Sequence, residues 1–226
     1  MNKINLILLF AFIFSKGLSQ NNGLIYPDFI GETLESIHNN LQWKVLVKAT
    51  GDLNDDHLID YALVLESKDS ILEKRCPSCK LSKQKPRIIL VLINENNTAK
   101  VMVQNNKFIA RGDEGGMSPY IEPELLIENN LLTIFYQFTR SNQSYVFEFN
   151  KSDFIIKSAK SVGVHAASGN FSCDLYDFKA NIITCTTGHI SNDMENTKLI
   201  EIKTKPKKLS EFGEMYEWEV VENKYL

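Results

Sequence analysis

Oxygen-bearing side chains fall at Asp52, Asn54, Asp56 and Asp60 within Gly51-Asp52-Leu53-Asn54-Asp55-Asp56-His57-Leu58-Ile59-Asp60. That spacing suits one chemistry, the binding of a hard divalent cation. Calcium takes six to eight oxygen ligands, mostly carboxylates and carbonyls. A loop wrapped round one ion turns alternate residues inward, so Asp52, Asn54 and Asp56 supply side chains. Leu58 then supplies its backbone carbonyl and Asp60 closes the sphere. Asp55 points outward in this scheme. His57 falls where the chain turns most sharply and glycine is usual. Histidine accepts a left-handed backbone better than most residues, at a cost of roughly 1 kcal/mol, and its imidazole suits zinc or copper better than calcium. The alternative is a metal-free turn in which the Asp and Asn side chains bond the backbone.

The flanks decide what kind of loop this is. An EF-hand needs helices on both sides and a bidentate Glu at the twelfth position. Here the twelfth position is Leu63, and the apolar runs at 43–47 and 61–65 have strand character. The loop therefore reads as a strand-loop-strand hairpin of modest affinity, ~10⁻⁴–10⁻³ M by analogy with extracellular modules. Ala49-Thr50-Gly51-Asp52-Leu53-Asn54-Asp55-Asp56, followed by Ile59-Asp60-Tyr61-Ala62-Leu63-Val64, resembles the GDLNxDGxxDxxLV hairpin of FG-GAP/VCBS-type repeats. Such repeats form calcium-binding blades in integrin-like propellers. More loosely, residues 40–160 resemble a group of bacterial exported proteins with a single such hairpin. In that group a dense apolar strand follows, then a Gly-rich loop matched here by Gly115-Gly116-Met117, then paired strands. The resemblance implies a fold element and calcium as its ion, and it implies no reaction. His57 in place of Gly is the departure from the pattern.

Other candidate chemistry is sparser. The histidines are His38, His57, His165 and His189. A His–Ser or His–Asp pair between the loops around His165 and His189 is the one enzymatic option, a hydrolase acting on a cell-envelope substrate. The chain lacks a GxSxG elbow, an HExxH helix and a phosphate-binding loop. Four cysteines in an exported chain read first as disulfides. Cys76-Pro77-Ser78-Cys79 is a CxxC in a Lys-rich stretch without the βαβ surroundings of a redox pair or the second CxxC of a zinc site. Cys173 and Cys185 sit at the far ends of two strand-like runs joined around Lys179-Ala180-Asn181. The simplest pairing is Cys76–Cys79 and Cys173–Cys185.

The export reading rests on the first 19 residues. Met1-Asn2-Lys3 is a short basic region, an apolar stretch runs to Phe14, and Gly17 and Ser19 supply a small-x-small cleavage signature. The apolar stretch is shorter than the ~20 residues a membrane-spanning helix needs. Cleavage is expected between Ser19 and Gln20, leaving one β-rich domain over 20–226 in the periplasm or outside the cell. The formal net charge is −3, and the leader carries Lys3 and Lys16 without an acid, so the exported chain is more acidic still. Nothing in that balance fits nucleic acid or an anionic membrane. The local basic run Lys203, Lys205, Lys207 and Lys208 reads as a solvated strand edge or loop.

The elements that must position these residues are mostly strands. Residues 27–40 carry Phe29, Ile30, Leu34 and Ile37 at helical spacing and form the expected helix. Strands are expected at 42–50, 59–66, 87–94, 99–104, 125–128, 131–139, 145–150, 154–160, 170–177, 182–187 and 198–203, and 216–221 is expected to close the sheet. The unbroken apolar run 88–93 suits a central strand, and Asn129-Asn130 signals a hairpin. Short strands at regular spacing indicate a mainly β fold of antiparallel meanders, sandwich-like or a partial propeller, with one N-terminal helix. Residues 67–86 and 110–124 are expected as long loops, and loops of that length are often functional. The functional expectation is an exported binding module for a protein or glycan of the cell envelope, with one structural calcium. Phe108, Met117 and Tyr120 near the Gly-rich loop are its candidate contacts.

Overall fold

A computed structural model describes residues 26–75, 80–117, 120–192 and 194–226. The expected leader and the Cys76/Cys79 pair lie outside the described residues. Among the described residues, one short helix, α1 (Leu34–His38), precedes fifteen strands. They are β1 (Trp43–Gly51), β2 (Asp60–Ser67), β3 (Ile71–Glu73), β4 (Ser82–Gln84), β5 (Arg87–Glu95), β6 (Thr98–Asn105), β7 (Glu124–Glu128) and β8 (Leu131–Gln137), followed by β9 (Ser141–Asn150), β10 (Asp153–Val164), β11 (Asn170–Asp177), β12 (Ile182–His189), β13 (Glu195–Glu201), β14 (Glu219–Val221) and β15 (Lys224–Tyr225). The fold is mainly β, as expected from the strand spacing.

All pairings are antiparallel. A four-stranded sheet runs β1-β2-β5-β6, and a seven-stranded meander runs β13-β12-β11-β10-β9-β8-β7. Their facing sides share one core, in which Ala62, Val64, Ile89, Val91 and Val103 of the smaller sheet join Leu132, Ile134, Tyr145, Phe147 and Ile156 of the larger. This is the sandwich solution rather than a closed barrel. The dense run in β5 has a simple cause. Alternate residues face opposite sides of a strand. Ile89, Val91 and Ile93 therefore enter the inter-sheet core, while Ile88, Leu90 and Leu92 enter a second core with Phe29, Ile37 and Trp43. Both faces are covered, so both parities are apolar.

Asn carries the hairpin turns. Asn96 and Asn97 have φ of 53° and 64°, and Asn129 and Asn130 have 52° and 60°. Two successive left-handed residues are what a two-residue turn matched to strand twist requires.

Three expectations are corrected. The helix spans five residues rather than 27–40. Gly31 donates to Val101 O at 2.8 Å, Val101 donates to Glu32 O at 2.9 Å, and Thr33 bridges Lys100. The backbone before α1 thus covers the edge of β6, and helix begins only where Thr33 Oγ1 accepts from Ser36 N. Phe29 and Ile37 are buried as the apolar spacing requires, but the sheet edge takes the hydrogen bonds of the first turns. Second, the 67–86 stretch is not simply a loop, since β3 and β4 form a small hairpin within it. Third, 216–221 does not close the large sheet. β14 pairs with β15, and Trp218 and Leu226 exchange backbone hydrogen bonds.

Candidate functional site

The loop between β1 and β2 is anchored from both sides. Leu53, its one apolar residue before the turn, is buried in the inter-sheet core. Asn130 Nδ2 donates to Asp52 O at 3.3 Å, and Asn94 Nδ2 donates to Ile59 O at 3.3 Å. These bonds hold the loop against the β7–β8 turn and the end of β5.

Within the loop, Asp52 is the hub. Its Oδ1 accepts from Asn54 N at 3.2 Å and Asp55 N at 2.7 Å, and its Oδ2 accepts from His57 N at 2.8 Å. Burial pushes this carboxyl up, but the backbone N–H groups of His57, Asp55, Asn54 and Asp56 outweigh it and hold the group below the ordinary value. Asp56 accepts from Leu58 N at 2.8 Å and from Asn54 Nδ2 at 2.8 Å. Asp60 is wholly buried and accepts from Leu53 N and Asn94 N, each at 2.8 Å. Desolvation raises its carboxyl pKa, and the negative charges of Asp56 and Asp52 add to that against the two N–H donors. Asp60 therefore feels the charges of both Asp56 and Asp52.

His57 takes the left-handed turn that its position demands, with φ of 64°, and so does Asp55. Asp55, expected to point outward, is exposed. The ligand atoms of Asp52, Asp55 and His57 lie within 4.8 Å of one another, with His57 Nδ1 3.7 Å from Asp52 Oδ2. Among the described residues this is the one such group of acids and histidines, and Asp55 and His57 in it are exposed. The other expected ligands are engaged within the protein, Asp56 with Leu58 N and Asn54 Nδ2 and Asp60 with Leu53 N and Asn94 N.

The histidine option finds no assembled triad among the described residues. His165 and His189 do share one end of β10–β12. Asn170 pairs with His189 across β11–β12, and His165 N donates to Asn170 O. His165 Nδ1 lies 2.9 Å from Ser168 Oγ, but both residues are exposed in the β10–β11 turn, and Ser168 Oγ also accepts from Asn170 N. His189 Nδ1 accepts from Ser191 N at 3.1 Å. Among the described residues no carboxylate bonds either ring, so nothing there orients an imidazole as a base.

The Cys173–Cys185 pairing is corrected. Asp174 stands opposite Cys185, and Cys173 opposite Thr186. Directly paired residues share a face and successive residues alternate, so the two thiols point to opposite faces and both are free. Cys185 faces inward beside Asp174, whose carboxylate accepts from Lys224 Nζ at 2.6 Å.

The Gly-rich loop hangs on charges that the sequence reading passed over. Arg87 is wholly buried. It donates Nε and Nη2 to Glu66 Oε2 at 3.0 and 2.9 Å, and Nη1 to the carbonyls of Ala110 and Ile121 at 2.8 and 2.7 Å. Tyr120 Oη donates to Glu66 Oε2 at 2.8 Å, and Lys44 pairs with Glu66 Oε1 at 3.0 Å. Arg111, also wholly buried, pairs with Glu73 and bonds Tyr26 Oη. Burial above all pushes the Tyr26 phenol up to about 12. A signal for the first pair was present: Glu66 ends one apolar run and Arg87 begins another, and they stand opposite each other across β2–β5. Of the candidate contacts, Phe108 is wholly buried and serves the core, while Met117 is 73% and Tyr120 50% exposed.

No helix among the described residues is long and apolar enough to cross a membrane. Comparison with protein-family models, with curated proteins and with solved structures finds no match.

Proposed function

We propose that the protein is an exported binding module of the cell envelope whose β1–β2 loop is held by one calcium ion, with an envelope protein or glycan as its partner. The supporting observation is the buried carboxylate of Asp60 at the base of the loop, which feels the charges of Asp56 and Asp52. Ionised carboxylates near one buried acid disfavour its charge, and a divalent cation relieves that repulsion. Asn54 Oδ1 and the Leu58 carbonyl complete an oxygen set, and the leader-like first 19 residues would deliver the chain to a calcium-rich compartment. Calcium here is structural. It orders the loop that links the first core strand to the second, and no step of chemistry is assigned to it.

Melting of the full chain in EDTA and in millimolar calcium tests this. The melting temperature is expected to rise with calcium and to reach half its gain at a concentration of order ~10⁻⁴–10⁻³ M. Asp56→Ala is expected to abolish the rise. An unchanged melting temperature, or a rise that survives in Asp56→Ala, refutes the calcium assignment.

A further inference from the structure

The edges of the two main sheets are not alike. The outer edge of β6 is occupied by residues 31–33, and β1 and β7 pack against each other, with Gly51 on the Ile127 backbone. That leaves β13. Among the described residues nothing pairs with its far side, and residues 195–199 and 201 are exposed. The strand follows β12 in unbroken register from Gly188 opposite Glu195 to Ile182 opposite Glu201, and it contains no proline. Bulges and prolines are common means of blunting an edge, and β13 uses neither.

The backbone groups free for a partner follow from the ladder. Ile202 N donates to Asn181 O, and these two residues continue the β12–β13 register. Opposed residues in an antiparallel pair alternate between bonded and non-bonded. Ile200, Lys198 and Asn196 therefore bond to β12. Glu195, Thr197, Leu199 and Glu201 turn their N–H and C=O groups away from the sheet. The side chains of these four lie on the outer face, because their β12 partners alternate with the buried Ile183 and Cys185. On that face Leu199 is 63% exposed, and Leu175, in line with it across Thr184, is 44% exposed.

We propose that β13 pairs antiparallel with β13 of a second copy of this chain, about a two-fold axis at Leu199, joining the two large sheets edge to edge. Charge and side-chain pairing select that register. An axis at Lys198 would set Lys198 against its own copy and Glu195 against Glu201 of the second copy. Like charges directly opposite are destabilising. Axes at Thr197 or Ile200 would set Leu199 against Glu195 or Glu201. With the axis at Leu199 both charge clashes vanish: Lys198 faces Ile200, Thr197 faces Glu201, and Glu195 faces Lys203, which is exposed just past the strand. Leu199 meets Leu199 at the centre, so an apolar side chain left in water gains an apolar neighbour. Thr197, Leu199 and Glu201 then exchange backbone hydrogen bonds with the second copy. The chain after Ile202 does not obstruct it. Ile202 is buried, and Lys207 O accepts from Ile156 N, so the segment turns inward toward β10. A single strand edge buries less than the roughly 1,200 Å² of a standard stable interface, so the dimer is reversible. The inference goes beyond the binding-module reading and depends on neither its calcium nor its partner.

Sedimentation of the full chain over a concentration series, in EDTA and in millimolar calcium, tests this. The mass is expected to rise reversibly from monomer to dimer in both buffers and to stop there, because the pairing uses the open edge of each copy. Leu199→Pro removes an N–H that no bond to β12 uses, so the fold is expected to persist with unchanged circular dichroism while the dimer is lost. Glu195→Lys and Lys203→Glu are each expected to weaken dimerisation at least tenfold, and the two together to restore it. If Leu199→Pro does not fold, this charge exchange carries the test. In the dilute monomer the β13 amides exchange fast. At dimer-forming concentration those of Thr197, Leu199 and Glu201 are expected to slow at least tenfold. A chain that stays monomeric up to millimolar concentration, growth beyond the dimer, a dimer that survives in folded Leu199→Pro, or a double variant no tighter than the single ones overturns the proposal.

Discussion

At the residue scale, Glu66 is the carboxylate with most riding on its charge. Burial alone would raise it, but the bonds from Lys44, Tyr120 and Arg87 outweigh that and hold it below the ordinary 4.5. A carboxyl depressed on folding contributes stability that is complete above its unfolded value and lost as pH falls through the folded one. The loss attached to Glu66 therefore lies below pH 4.5, not in the neutral range. Removing one member of a buried pair leaves the other charge uncompensated, at a cost of about 3–5 kcal/mol. Glu66→Gln is thus expected to lower stability by that order at neutral pH and to flatten the acid limb of the stability profile. Urea denaturation from about pH 7 down to about pH 3 measures both effects. An acid limb as steep as in the parent chain would show that other carboxylates carry it, with Glu73, also held low by Arg111 despite burial, the next candidate.

Two features belong to the elements. The last residue of β1, Gly51, lies against β7: an added Cβ would fall 2.5 Å from Ile127 Cγ2 and 3.0 Å from Ile127 O. Because one of those neighbours is backbone, it cannot rotate away. Gly51→Ala is expected to destabilise by about 1–3 kcal/mol, checked by the denaturation midpoint, and to loosen the β1–β2 loop that starts at the next residue. A midpoint within error of the parent would mean that the two sheet edges yield more easily than this contact implies. The register of β11 on β12 governs the cysteines. Thiols on opposite faces cannot reach disulfide geometry without moving backbone. Alkylation of the native chain is expected to label both Cys173 and Cys185 and to find no crosslink between them. Cys173 should react faster by roughly tenfold or more, since reactivity follows thiolate fraction and access. Cys173 is partly exposed, whereas burial first, and then the Asp174 charge, raise the Cys185 thiol. Recovery of a Cys173–Cys185 peptide from the folded protein would contradict this register.

At the scale of the whole molecule, stability is distributed unevenly across the two sheets. β5 has a neighbour on each side and a core on each face, whereas β13 ends the large sheet and is exposed along nearly all its length. Local opening is cheapest where few apolar contacts and unshared hydrogen bonds hold the chain. Amide exchange is therefore expected to be slowest in residues 88–93 and faster by orders of magnitude in β13. Comparable protection in β13 would reveal that its free edge is covered in solution, for a long open strand edge is a natural site of pairing. The β6 edge, in contrast, is occupied by the chain at Gly31–Thr33.

Strand positions and turns were legible in the sequence because they depend on near neighbours. The unbroken run in β5 required two apolar faces, the Asn pairs required tight turns, and the Asx-rich segment at 52–60 required a loop between two strands. These follow from side-chain alternation and local backbone preference, which act over a few residues. What only the tertiary structure decided involves residues far apart in the chain. The backbone before α1 gave up its helical bonds to the edge of β6. A one-residue register set Cys173 and Cys185 back to back. Arg87 and Arg111 are tolerated in the core because Glu66 and Glu73 pair with them. Each of these depends on which strand lies beside which and on whether a polar group finds its counterpart, and pairings over such separations leave no periodic trace in the sequence.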